Sequence, residues 1–136
     1  MAIRVDTLEA AGGFDERFGP GSRYPAAEDN DLGLRLLDRG ARIRYVPEAL
    51  AFHRAWRTTA DYPRVRFAYG RGKGAFYAKH TSGGDRYGLH RGAADVRRRA
   101  MRLRHVAARP VYTLGELTYA TGVVAGALQW LLRERS

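Results

Sequence analysis

Glu28-Asp29-Asn30-Asp31-Leu32-Gly33-Leu34-Arg35-Leu36-Leu37-Asp38-Arg39-Gly40 runs directly into Ala41-Arg42-Ile43-Arg44-Tyr45-Val46-Pro47. In the first run Leu32, Leu36 and Leu37 recur at helical spacing behind an acidic opening, which predicts a helix over about 29–39. Asp31 and Arg35 stand four residues apart, as an ion pair on one helix face requires. Gly40 suits the left-handed position that ends a helix. In the second run Ile43 and Tyr45 alternate with Arg42 and Arg44, which predicts a half-buried strand broken at Pro47. Ala49-Leu50-Ala51-Phe52-His53 predicts a second short strand.

Upstream, Asp6-Thr7-Leu8-Glu9 has the letters of a capping box, and Gly12-Gly13 stops the short helix it would start. Residues 17–27, with Gly19-Pro20-Gly21 and Pro25, read as a loop. Downstream, Asp61-Tyr62-Pro63 reads as an N-cap and first turn, opening a helix towards Lys79. That helix contains Gly70-Arg71-Gly72-Lys73-Gly74. The spacing does not make a phosphate loop, because Ala75 follows Gly74 where a Gly-Lys-Ser/Thr ending is needed. Glycine costs ~1 kcal/mol per helical position, so close helix packing or a local kink is the better reading.

The chain has 136 residues, one domain by length, and no cysteine, which excludes disulfides and thiolate chemistry. Met1–Asp6 lacks the apolar core of a signal peptide, so the expected location is cytoplasmic. The net charge is +10, and residues 86–109 carry eight arginines against Asp95 alone. Codon bias accounts for such a run; so does attraction to anionic lipid, nucleic acid or phosphorylated substrates. No nucleic-acid-binding signature accompanies it, and stacking aromatics are not interleaved with the arginines. Residues 111–132 hold one charge, Glu116, yet Thr113, Thr118, Thr121 and Gln129 make them a poor transmembrane segment. They read as a helix packed on its own or another domain, or as an interfacial helix peripheral on the inner face of a membrane. The Gly122…Gly126 spacing is a weak packing signal.

Gly12-Gly13-Phe14-Asp15-Glu16, then Glu28-Asp29-Asn30-Asp31-Leu32 and Arg35, then Gly40-Ala41-Arg42-Ile43-Arg44-Tyr45-Val46-Pro47 and His53 form an ordered set. The set resembles the acceptor-side half of family 2 glycosyltransferases and is similar to the galactosyltransferase C-terminal domain. The resemblance covers residues 1–80. It implies a partial GT-A-like α/β fold there, the C-terminal half of a nucleotide-sugar transferase domain, followed by a basic helical tail over 81–136. The implied activity is inverting transfer of a sugar from a nucleotide-diphosphate donor to the hydroxyl of a glycan or lipid-linked acceptor, as in cell-envelope polysaccharide synthesis.

By the same resemblance Asp29 is the catalytic base, and Glu28, Gly12, Gly13, Asp15 and Asp31 are substrate contacts. Phe14 is expected in the core. A carboxylate suits the role of Asp29 because a sugar hydroxyl is a weak nucleophile until its proton is taken. His53 is the implied ligand of a divalent cation, Mn²⁺ or Mg²⁺, shared with a nucleotide-binding half that is missing from the sequence. Asp29-Asn30-Asp31 spells the metal motif of such enzymes, but it opens a helix where that motif follows a strand, so it is not read as one. The chain is therefore expected to be incomplete alone and to pair with an N-terminal half-enzyme. The alternative is a non-enzymatic basic module that binds anionic membrane or nucleic acid.

Overall fold

The computed structural model describes residues 2–52, 58–81, 86–102 and 110–134. Among the described residues five α-helices carry the fold: α1 (Val5–Ala10), α2 (Glu28–Asp38), α3 (Tyr62–Thr81), α4 (Tyr87–Arg102) and α5 (Pro110–Arg133). A 3₁₀ turn, Thr59–Asp61, leads into α3 and is closed by a capping box between Thr58 and Asp61. Among the described residues there is no strand, only one isolated bridge between Phe18 and Tyr24.

The α/β, GT-A-like expectation is therefore overturned: this is a helical protein. Residues 41–46 have the alternation of a strand, but a strand also needs a neighbour for its amides and carbonyls, and the described residues supply none. Ile43 and Tyr45, expected on the buried face, are both exposed, Tyr45 at 85%. The second expected strand fails in the same way over its described residues 49–52, where Phe52 is 100% exposed. The expected cap also differs. Asp6 lies inside α1, whose N-cap is Arg4, and its carboxylate pairs with Arg4 at 2.6 Å.

The frame of the molecule is α3 against α5. The two run in the same direction, since Tyr62 meets Gly115, Gly70 meets Gly122, and Gly74 meets Val123 and Ala127. Their backbones touch because glycines stand at the crossing. A methyl group at Gly70, Gly74, Gly122 or Gly126 would fall onto a backbone carbonyl of the facing helix. Gly72, on the opposite side of α3, admits the backbone of Ala26 in the loop before α2. The glycine run is thus a packing device, as its helical cost suggested. α4 returns antiparallel between the two, with Gly88 against Tyr77 and Thr81.

The loop over 17–27 forms the core. Phe18, Tyr24 and Trp130 stack as a trio with centroids 5.4–5.7 Å apart, and Ala27, Ala75, Phe76 and Ala78 pack around them. Each such aromatic pair is worth ~1 kcal/mol beyond the area it buries. Arg17 and Arg23 lock the end of α5 by pairing with Glu134 at 3.0 and 2.6 Å. A smaller cluster of Ala11, Leu32 and Leu36 fixes α1 to α2, whereas Leu37 and Phe14 are half exposed. α2 ends as expected: Gly40 has φ +81, and the amides of Gly40 and Ala41 return to the carbonyls of Leu37 and Leu36. No helix among the described residues is long and apolar enough to cross a membrane.

Gly74→Ala is expected to cost about 3 kcal/mol, because its methyl has nowhere to go but into the α5 backbone. Gly33→Ala, whose methyl would meet only Ile43 Cδ1 at 3.9 Å, should instead gain roughly 0.5 kcal/mol from helix propensity. Urea denaturation of the two variants checks the opposite signs.

Candidate functional site

The loop that Gly72 admits delivers α2 onto the side of α3, and the first turn of α2 splits its acids between two surroundings. Asp31 turns inward and is fully buried. Its Oδ1 lies 2.6 Å from Lys79 Nζ and 2.8 Å from His80 Nε2, and its Oδ2 accepts from Arg35 Nε at 2.8 Å. Arg35 also donates to the carbonyls of Ala11 and Gly13, and Lys79 reaches Asp15 at 2.7 Å. Asp15 is held in addition by Arg17 at 2.8 Å. The glycine turn, the first turn of α2 and the end of α3 thus close on one buried carboxylate.

Burial pushes the Asp31 carboxyl up, but the hydrogen bonds from His80 and Lys79, the Lys79 charge and Arg35 outweigh it and hold the group at about 2. Asp15 is likewise well below the carboxylate range: desolvation opposes, and Arg17 and Lys79 prevail.

Glu28, Asp29 and Asn30 face outward, onto an open cleft of about 570 Å³ between the start of α2 and the flank of α3. That size is within the range of small-ligand sites. Asp29 is exposed on its rim, and Glu28 is half-buried against Gly19. Ala27, which precedes them, holds the left-handed φ of +79 that turns the chain into the helix. The far wall carries Arg66, Tyr69 and Lys73 from α3, with Arg99 and Tyr119 behind.

Behind that wall lies a second ion cluster. Glu116 accepts from Arg66 at 3.1 Å and Arg99 at 2.5 Å, and Asp95 accepts from Tyr119 Oη at 2.9 Å and Tyr77 Oη at 3.4 Å. Arg99 lies 3.6 Å from the centroid of the Tyr119 ring. Burial and then the Asp95 charge push the Tyr77 hydroxyl up to about 12 and the Tyr119 hydroxyl higher still. The lone acid of 111–132 is therefore the partner that the arginines of α3 and α4 require.

Of the residues expected at the site, Glu28 and Asp29 line the cleft together. Gly12, Gly13, Asp15 and Asp31 do not line it; Gly12 is exposed on the glycine turn, and the other three belong to the lock, where Asp31 has no surface to offer a substrate. His53 lies outside the described residues. Among the described residues no group of three His, Asp or Glu side chains could hold a metal, and Asp31, with both oxygens engaged by Arg35, Lys79 and His80, cannot share a cation with Asp29. Sequence reading missed Lys73, Lys79, His80, Arg66 and Arg99. The one available signal was Lys73, at the centre of the glycine run.

Comparison of the chain with protein-family models, with curated proteins and with solved structures finds no match. The site is therefore read from its own geometry.

The low Asp31 value fixes the sign of an acid dependence. With its folded value depressed, its contribution is complete above about 4, the unfolded value, and is lost as pH falls through about 2. Asp31→Asn should remove that part of the acid dependence and cost ~3 kcal/mol at neutral pH, because it strips a buried partner from Arg35 and Lys79. Urea midpoints from pH 2 to 7 for both proteins measure it.

Proposed function

We propose that this chain carries the acceptor-side part of an inverting glycosyltransferase, with the cleft beside α2 receiving the hydroxyl acceptor and Asp29 serving as its general base. The observation that supports this most is the division within the acidic run. The lock on Asp31 and Asp15 aims the first turn of α2, and of the two carboxylates that line the cleft Asp29 is the exposed one, Glu28 being half-buried against Gly19. In the reaction the acceptor oxygen attacks the anomeric carbon of the donor sugar. Asp29 takes the hydroxyl proton as the new C–O bond forms, and the bond to the nucleotide diphosphate breaks with its electron pair leaving on the diphosphate. The stereochemistry at the anomeric carbon inverts.

A divalent cation of the kind expected would neutralise charge on the departing diphosphate. The described residues do not assemble a set for it, so no step is assigned to it, and the donor is taken to be held by a separate nucleotide-binding half. The non-enzymatic basic module is the weaker reading, because Arg98, Arg99 and Arg102 of the arginine run are engaged by Asp95 and Glu116.

In the enzyme assembled with its donor-binding half, Asp29→Asn is expected to lower transfer roughly 10²–10⁴-fold while leaving the melting temperature unchanged. Turnover assayed across nucleotide-diphosphate sugars checks this. Near-normal turnover in the Asn variant would remove Asp29 from the reaction.

A further inference from the structure

Of the basic side chains of α3 that reach into the protein, only Lys73 and Arg71 make no ion pair among the described residues, and Arg71 donates to both the carbonyl of Arg23 and the amide oxygen of Gln129. Arg66 is matched by Glu116, Lys79 by Asp15 and Asp31, and His80 by Asp31. Lys73 is half-buried, yet among the described residues it makes no ion pair. Its ammonium donates to the neutral amide oxygen of Asn30 and lies 5.0 and 5.9 Å from the ring centroids of Phe76 and Tyr77. Burial lowers its proton affinity; the field of Asp95 restores part, and Arg91 opposes. A partly desolvated cation with only neutral direct partners is stabilised by whatever anion reaches it.

The position of Lys73 decides what can reach it. With Asn30 it forms the partition between two cavities, lining both the 570 Å³ cleft and a neighbouring cavity of about 220 Å³. The first holds Asp29, next in sequence to Asn30. The second has a mixed lining, with Leu34, Leu37 and Phe76 as its apolar part and Arg91 as a second cation. A ligand carrying a hydroxyl, an anionic group and an apolar portion would meet matching surfaces in that order.

We infer that Lys73 is the anion-binding residue of this site and takes a phosphate group of the ligand whose hydroxyl faces Asp29. The hydroxyl half of that statement rests on the transferase reading; the phosphate half stands on Lys73 alone. A phosphate is favoured because it presents several acceptor oxygens to the ammonium and keeps its charge at neutral pH. It reaches the site either on a soluble sugar phosphate or on a lipid.

The test follows backbone amide shifts of the full chain at low ionic strength during titration with glucose 1-phosphate and with neutral methyl glucoside. Phosphatidylglycerol and phosphatidylcholine vesicles form a second arm. Glucose 1-phosphate should shift the amides around Asp29, Asn30 and Lys73, and the neutral glycoside should not. Lys73→Gln should weaken binding roughly ten- to hundredfold, the size of one lost charge-assisted contact. Lys73→Arg should retain it. Arg97→Gln, on the exposed face of α4, should change nothing and so controls for the overall charge of +10. Asn30→Asp should weaken phosphate binding by giving Lys73 an internal carboxylate, and it decides the matter if Lys73→Gln does not fold.

Dependence on Lys73 in the sugar-phosphate arm identifies a soluble ligand, and dependence in the anionic-vesicle arm alone identifies a lipid phosphate. Equal binding by wild type and Lys73→Gln in both arms, equal losses in Lys73→Gln and Arg97→Gln, or unchanged phosphate affinity in Asn30→Asp would overturn the inference. Lys73-dependent phosphate binding combined with an Asp29→Asn variant that transfers sugar at the normal rate would keep the anion site and remove Asp29 as the base of the reaction.

Discussion

A single buried carboxylate, Asp31, ties together the three segments that make the site. Its partners come from α2 itself and from the end of α3, and through Arg35 and Lys79 the same contacts hold the glycine turn at 12–13 and Asp15. A charge with no solvent access is tolerable only when it is fully matched, so the geometry around Asp31 admits little play. The rigidity passes outward. Because Asp31 is fixed inside, Glu28 and Asp29, in the same first turn, are fixed on the rim of the cleft.

The lock closes only if α3 lies in the right place, and that is set by glycine. At the α3–α5 crossing the absence of side chains lets two backbones meet, and Gly72 does the same for the loop that feeds α2. One short run, Gly70 to Gly74, thereby determines both which helix α3 packs on and where the first turn of α2 lands. The Phe18, Tyr24 and Trp130 rings then clamp that loop to the end of α5. The nominally irregular part of the chain thus supplies two of the buried aromatic rings of the core.

What could be read from sequence was what is local. The extent of α2, the Asp31–Arg35 pair, the stop at Gly40 and the opening of the helix near Tyr62 all follow from contacts within a few residues. The strand at 41–46 was misread because alternation reports only a tendency, and pairing depends on a second strand elsewhere. His80 carried no signal at all, since its partner is 49 residues away. The acidic run is conspicuous in the sequence, but a pattern of letters does not reveal which acid faces in. Asp31 was grouped with the substrate contacts for that reason, and the fold assigns it to the scaffold.

A buried, locked carboxylate and an accessible one are thus separated within four consecutive residues, 28–31, and that separation is the central claim. Labelling of the folded chain with a water-soluble carbodiimide and an amine, followed by peptide mass spectrometry, measures it directly, because modification requires an accessible carboxyl. Asp29 should be modified in the native protein, while Asp31 should remain protected until the chain is unfolded. Native modification of Asp31 as fast as that of Asp29 would contradict the account.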